Sequence, residues 1–125
     1  MTPSYGQFTY YYGSIENCYV YSAYEHPEAR LVFFVPEETE TYEFSFIIWD
    51  ETQQDYVSGD EVTSDGVFYI WIINTENGAV KTFDSEGFGG FTADLEEGVI
   101  YLIVLSLFDM DNPYIQCYLN VGIAE

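Results

Sequence analysis

The side chains in this sequence best equipped for chemistry are its aromatic rings, and the chemistry they offer is stacking. Tyr19 and Tyr21 alternate along one strand-like run, and Gln116 and Tyr118 alternate along another. Tyr69 and Trp71 alternate along a third and, with Trp49, make a second candidate patch beside the one formed by the first two runs. Sugar rings present C–H faces that pack on such rings, while amides and carboxylates take up the hydroxyls. The rings are therefore read as a stacking platform, with Gln116 recognising hydroxyls. The plainer reading is that these rings cover the sheet as cross-strand pairs. Oxygen ligands come next. Asp109, Asp111 and Asn112 stand just before Pro113 and bring together carboxylates and an amide. Calcium takes about six to eight such oxygens, so acids in 84–86 or 50–65 would have to complete a shell. The spacing of a helix-loop-helix calcium loop is absent, and a solvated acidic turn fits the same residues.

Cys18 and Cys117 lie far apart in sequence, on runs that could be neighbours and at positions expected to face inward. In an oxidising compartment they are candidates for a disulfide worth roughly 4–5 kcal/mol in the chain-entropy picture. Otherwise they are two buried free thiols. Two cysteines and the single His26 lack zinc-site spacing. His26 sits in a proline turn beside Glu25 and Glu28, a surface position without a marked nucleophile. The glycines at 87–90 precede no lysine and no helix, so they make no phosphate loop. No catalytic residue is assigned, and the chain is read as a non-enzyme.

The elements that must position these groups are strands. Runs of alternating apolar residues fall at 8–12, 18–24, 29–35, 41–49, 67–74, 79–83, 88–93, 99–108 and 114–121, with turn residues between most of them. Asn77-Gly78 marks a hairpin, because both residues tolerate positive φ. No window has a helical period. About eight or nine short antiparallel strands predict a β-sandwich of jelly-roll type, in a single domain over 1–125. Alternation sets the faces. Phe44, Phe46 and Ile48 share one side. Phe68, Ile70 and Ile72 oppose Val67, Tyr69, Trp71 and Ile73. Ile115, Cys117, Leu119 and Val121 point in, while Tyr114, Gln116, Tyr118 and Asn120 point out. The segment 50–65 is the one long loop.

Composition limits the partners. The 125 residues hold 22 acids and 2 bases, for a net charge of −20, and 48% are hydrophobic. That much apolar area excludes intrinsic disorder. The longest apolar runs, 67–73 and 99–105, are too short to span a bilayer, which predicts a soluble chain without membrane insertion. A surface this negative repels nucleic acid, anionic lipid and anionic glycans. The first residues show no basic stretch and no apolar h-region. Two histories fit. One is a domain of a longer secreted or cell-surface protein, favoured by scarce lysine and abundant tyrosine; the other is a cytosolic chain.

The stretch 29–121 resembles the bacterial pre-peptidase C-terminal domain. The matching pieces are GSIEN…YVYS at 13–22, LVFFVPEETETYEFSF at 31–46, NTENGAVKTFDSEGFGGFTADLEEGVIYLIV at 74–104 and YIQCYLNVG at 114–122. The most specific is LEEGVIYLIV at 95–104. The 50–65 segment and the two cysteines depart from the family pattern. The resemblance implies a jelly-roll sandwich appended to a secreted enzyme, binding a matrix polymer, with calcium sometimes stabilising it.

Together these features predict a non-catalytic extracellular module that binds neutral polysaccharide. Two alternatives stand beside it. One is an acidic protein-interaction module, such as an immunity protein or nucleic-acid mimic, which would show one contiguous negative face. The other is a calcium-stabilised matrix or adhesion domain. The acids concentrate in turns, which favours the first reading.

Overall fold

The computed structural model describes residues 9–23, 30–50, 53–59, 67–86, 90–108 and 114–125. Among these residues ten strands form two sheets, and the all-β sandwich expected from alternation is what the chain adopts. Sheet A runs β1 (Tyr10–Tyr12), β3 (Arg30–Val35), β9 (Tyr101–Phe108), β6 (Val67–Asn74), β7 (Val80–Glu86). Sheet B runs β2 (Ile15–Ala23), β10 (Tyr114–Ile123), β4 (Glu40–Asp50), β5 (Asp55–Ser58). β8 (Phe91–Leu95) lies on the same edge of β4 as β5, against its first half. All pairings are antiparallel except β1 with β3, which is parallel. That pair exists because the chain leaves sheet A after β1 and returns to it at β3. Gly13 makes the first crossing, with φ of +78° and its N–H donating to the Val35 carbonyl at 2.9 Å.

Period-two alternation fills the space between the sheets. Tyr42, Phe44, Phe46 and Ile48 of β4 face Ile70 and Ile72 of β6 and Ile103 and Leu105 of β9 in one buried cluster. Cys117, Leu119 and Val121 of β10 join from beside β4, as expected; Ile115 is described by its backbone alone. One extra residue interrupts the alternation on β2. Leu119 pairs with Cys18 and Val121 with Ile15, so three steps on β2 oppose two on β10. Asn17 takes up the excess at φ of +53°, and its N–H donates to Asn120 Oδ1 at 2.9 Å. This bulge keeps both Ile15 and Cys18 inward.

Two tyrosines are core residues, contrary to their usual half-exposed place. The Tyr42 hydroxyl donates to the Glu38 carbonyl at 2.8 Å, and the Tyr101 hydroxyl accepts from the Glu96 N–H at 2.9 Å. Each ring is buried while its polar tip ties a turn, which satisfies both demands at once. The same end is closed by Gly98 N–H on the Pro36 carbonyl and Glu97 N–H on Thr39 Oγ1, both at 2.9 Å. At the Asn77-Gly78 turn Gly78 takes φ of +75°, and Asn74 and Ala79 close the hairpin at 2.8 Å.

The strand β5 lies inside the segment expected to be one long loop. Gln54, at φ of +55°, turns the chain back so that Trp49 pairs with Tyr56 and Asp50 with Asp55. Gly90 marks where the chain meets sheet B again. A Cβ there would stand 2.8 Å from the Phe44 carbonyl oxygen, a backbone atom in mid-strand. Gly90→Ala is expected to cost about 1–3 kcal/mol, read as a lower urea midpoint. An unchanged midpoint would mean that β8 can shift away from β4.

Candidate functional site

Outward positions on sheet B gather four rings from four strands. Tyr19 on β2 pairs directly with Tyr118 on β10, and their centroids lie 5.5 Å apart, edge to face. Tyr118 reaches across β4 to Tyr56 on β5 at 5.4 Å. Tyr56 meets its register partner Trp49 at 5.1 Å. The result is a continuous row, Tyr19–Tyr118–Tyr56–Trp49, crossing the whole sheet. Tyr19 is exposed and the other three are half-buried, so each presents part of its ring to solvent. Burial pushes the Tyr56 phenol above its usual 10.0, and a hydrogen bond with the Tyr118 hydroxyl acts in the same direction. The rings thus hold one another in place, and little rotamer freedom remains to be lost on binding.

Polar groups flank the row. Asn120 uses Oδ1 on the bulge, which leaves its amide NH2 as a donor beside Tyr118. Ser45 pairs with Asn120 and Ser58 with Ile47. Gln116 and Tyr21 are register partners two positions along from Tyr118 and Tyr19, and both are described by their backbones alone. The two basic residues Arg30 and Lys81 both belong to sheet A, so among the described residues this face has no lysine or arginine for an acidic ligand.

Tyr69 and Trp71 lie on the opposite side of the molecule, on the outer face of sheet A. They are 43% and 39% exposed, while Ile70 and Ile72 between them are buried. The parity read from sequence holds for Tyr69 and Trp71, and they stand on the face opposite to Tyr19 and Tyr118, so these candidates form no single site. Trp49, grouped in sequence with Tyr69 and Trp71, belongs instead with Tyr19 and Tyr118. Tyr56 was missed, because its four-residue strand sits in an acidic, polar stretch. Its one signal was an aromatic–aliphatic pair, Tyr56-Val57, inside that stretch.

Cys18 and Cys117 are neighbours in sheet B and remain free thiols, both buried. Their register explains why. Cys18 pairs with Leu119 and Cys117 with Val20, so the two are diagonal. Diagonal Cα atoms lie about 7–8 Å apart, beyond the usual reach of a disulfide. Burial raises the Cys117 thiol from 9.0 to about 12, and neighbouring Cys18 adds to the rise. Tyr11 hydrogen-bonds Cys18 on one side and Arg30 on the other, and burial lifts its phenol above 10.0.

Asp109, Asp111, Asn112 and His26 lie outside the described residues. Among the described residues no group of three or more His, Cys, Asp or Glu could hold a metal ion. No helix among them is long and apolar enough to cross a membrane. A cleft of about 590 Å³ opens between the sheets, lined by Thr41, Asn74, Asn77, Lys81 and Asp94 among others. Its polar groups engage one another: Lys81 Nζ donates to the Asp94 carbonyl at 2.6 Å, and Thr41 Oγ1 to the Asp94 carboxylate. Lys81 thereby latches the edge of sheet A to β8.

Fold and faces define a two-sheet β-sandwich with an aromatic row on one outer face. Comparison with family models, with curated proteins and with solved structures finds no match to this chain.

Proposed function

We propose that this chain is a non-catalytic binding module that holds a neutral polysaccharide on the outer face of sheet B. The observation that carries the reading is the Tyr19–Tyr118–Tyr56–Trp49 row. It offers successive ring faces on a rigid support, with amide and hydroxyl groups alongside, as sugar C–H faces and hydroxyls require. The absence of lysine and arginine among the described residues of that face favours a neutral polymer over an acidic one. A charge-mimic reading asks for a row of carboxylates, and the described outward positions of sheet B offer only scattered acids such as Glu43 and Asp94. The acidic turns and scarce lysine suit an extracellular accessory domain of a secreted enzyme or surface protein, as the pre-peptidase C-terminal resemblance also implies. Calcium held by Asp109, Asp111 and Asn112 belongs to this reading as a structural ion.

Retardation in native gels containing neutral plant or microbial polysaccharides tests it. The wild-type chain is expected to be retarded by one polymer class. Tyr118→Ala removes the ring that joins both halves of the row, at a cost of about 1–2 kcal/mol, or roughly tenfold in affinity. Trp71→Ala, on the other face, is expected to leave retardation unchanged. No retardation by any neutral polymer, or equal retardation of a folded Tyr118→Ala protein, would refute the reading.

A further inference from the structure

We infer that the outer face of sheet A is a self-association surface, through which two copies of this chain pack face to face. The inference does not depend on the glycan reading, which concerns the other sheet.

Register fixes the composition of this face. One row across the sheet is Leu31, Val104, Trp71 and Thr82, paired directly from strand to strand. The next is Phe33, Leu102, Ile73 and Val80. Tyr10 extends the second row, stacked on Phe33 at 4.7 Å. Neither row contains a charged residue, in a chain whose net charge is −20. Leu31, Trp71, Val80 and Tyr10 are all exposed. An antiparallel sheet with one face on the core ordinarily turns polar side chains to solvent on the other. Here two adjoining rows of the outer face are apolar as well, with charge entering only at the Asp84 and Glu86 positions of the edge strand β7, and a continuous apolar surface of this kind marks an interaction site.

Area, symmetry and charge point to a second copy as the occupant. Five strands about 4.8 Å apart, with about six or seven residues each rising about 3.3 Å, make a face of about 500 Å². Two such faces bury about 1,000 Å², which reaches the threshold for a specific interface. β9 is the middle strand of the five, so a two-fold axis parallel to it and midway between the copies lays each apolar row on the same row of the other copy. Sheets stack this way about 10 Å apart in any sandwich. The acids keep to the margins of this face: Glu37 and Glu38 follow β3, and Asp84 and Glu86 hold the register positions opposite Tyr69 and Val67 on the edge strand β7. With that axis β7 of one copy lies over β1 of the other, so two copies meet without setting these carboxylates against each other, while their rims repel at longer range. Added salt screens that repulsion. The dimer is accordingly expected to tighten as ionic strength rises, opposite to the behaviour of a complex with a basic partner.

Sedimentation velocity and light scattering on the full chain, from micromolar to near-millimolar and at low and high salt, test this. A monomer–dimer equilibrium that shifts toward dimer in high salt is expected. Val104→Glu places a carboxylate at the centre of both faces and should weaken association by about 100-fold or more. Thr82→Glu, on the exposed edge strand, provides a second variant that does not perturb the core. Ser45→Glu on sheet B should leave the dimer intact, as should Tyr118→Ala, so this proposal and the glycan reading fail separately. A chain that is monomeric at every concentration and salt would overturn the inference, as would a dimer unmoved by Thr82→Glu or a folded Val104→Glu. A purely monomeric result would also turn attention to a different protein as the cover of this face.

Discussion

Truncating Phe44 to alanine is expected to remove about 3–5 kcal/mol of stability. Phe44 is fully buried at the middle of β4, the strand to which β10, β5 and β8 all attach. Its ring stacks on Phe91 at 4.8 Å, and Phe91 stacks on Phe83 at 4.3 Å. Phe44 and Phe91 belong to sheet B and Phe83 to sheet A, so this stack joins the sheets along the side where the chain crosses from β7 to β8. Removing its first ring leaves a cavity walled by mid-strand backbone, which cannot collapse without breaking pairs. Against a typical total of about 5–15 kcal/mol, such a loss brings the domain close to unfolding at ordinary temperature. Phe44→Leu keeps most of the volume and should cost far less. Chemical denaturation of both variants checks this. A loss below about 1 kcal/mol for the alanine variant would mean that the stack carries little of the sheet-to-sheet contact.

The second large effect is alkaline unfolding. The Cys117 thiol rises from 9.0 to about 12 because burial disfavours its thiolate. Its neutral form is therefore bound more tightly in the native state than in the unfolded chain. The resulting stability is fully present below pH 9 and is lost as pH climbs toward 12. The gap corresponds to up to about 4 kcal/mol. Tyr42 and Tyr101, whose phenols burial lifts above 10.0, act in the same direction. Each ionisation also adds to a net charge already at −20. Urea midpoints measured from pH 8 to pH 12 should fall steeply above pH 9, and Cys117→Ala should fall less steeply while starting somewhat lower. Equal slopes for the two proteins would remove the thiol from the account. The same burial predicts that neither cysteine is alkylated in the native protein near neutral pH.

Where the period of two runs unbroken, residue type alone located the core. Phe44, Phe46 and Ile48, then Ile70 and Ile72, then Cys117, Leu119 and Val121 are all buried, and Tyr19, Tyr69, Trp71 and Tyr118 face outward as their parity requires. Three things were not legible, each for a physical reason. The bulge at Asn17 interrupts alternation, so β2 reads as starting at Cys18 when it starts at Ile15. β5 is four residues in an acidic stretch, and its partner β4 is recognised only once the Gln54 turn is known. Sheet membership is a long-range property, so nothing local tells that Trp49 shares a face with Tyr118 while Trp71 does not. The buried tyrosines belong to the same class: Tyr42 and Tyr101 are core residues because a turn carbonyl and a turn amide happen to meet their hydroxyls. The apolar outer face of sheet A emerges only when five separated segments are set side by side.

The chain's two tryptophans make the decisive measurement simple. Trp49 reports the outer face of sheet B and Trp71 that of sheet A, and there are no others. Their two indole N–H signals can be followed by NMR while a neutral oligosaccharide from the retarding polymer is titrated in. The account predicts that the Trp49 signal moves with glycan and the Trp71 signal does not. Movement of the Trp71 signal alone would put the sugar on the wrong sheet, and no movement of either would contradict glycan binding by this module.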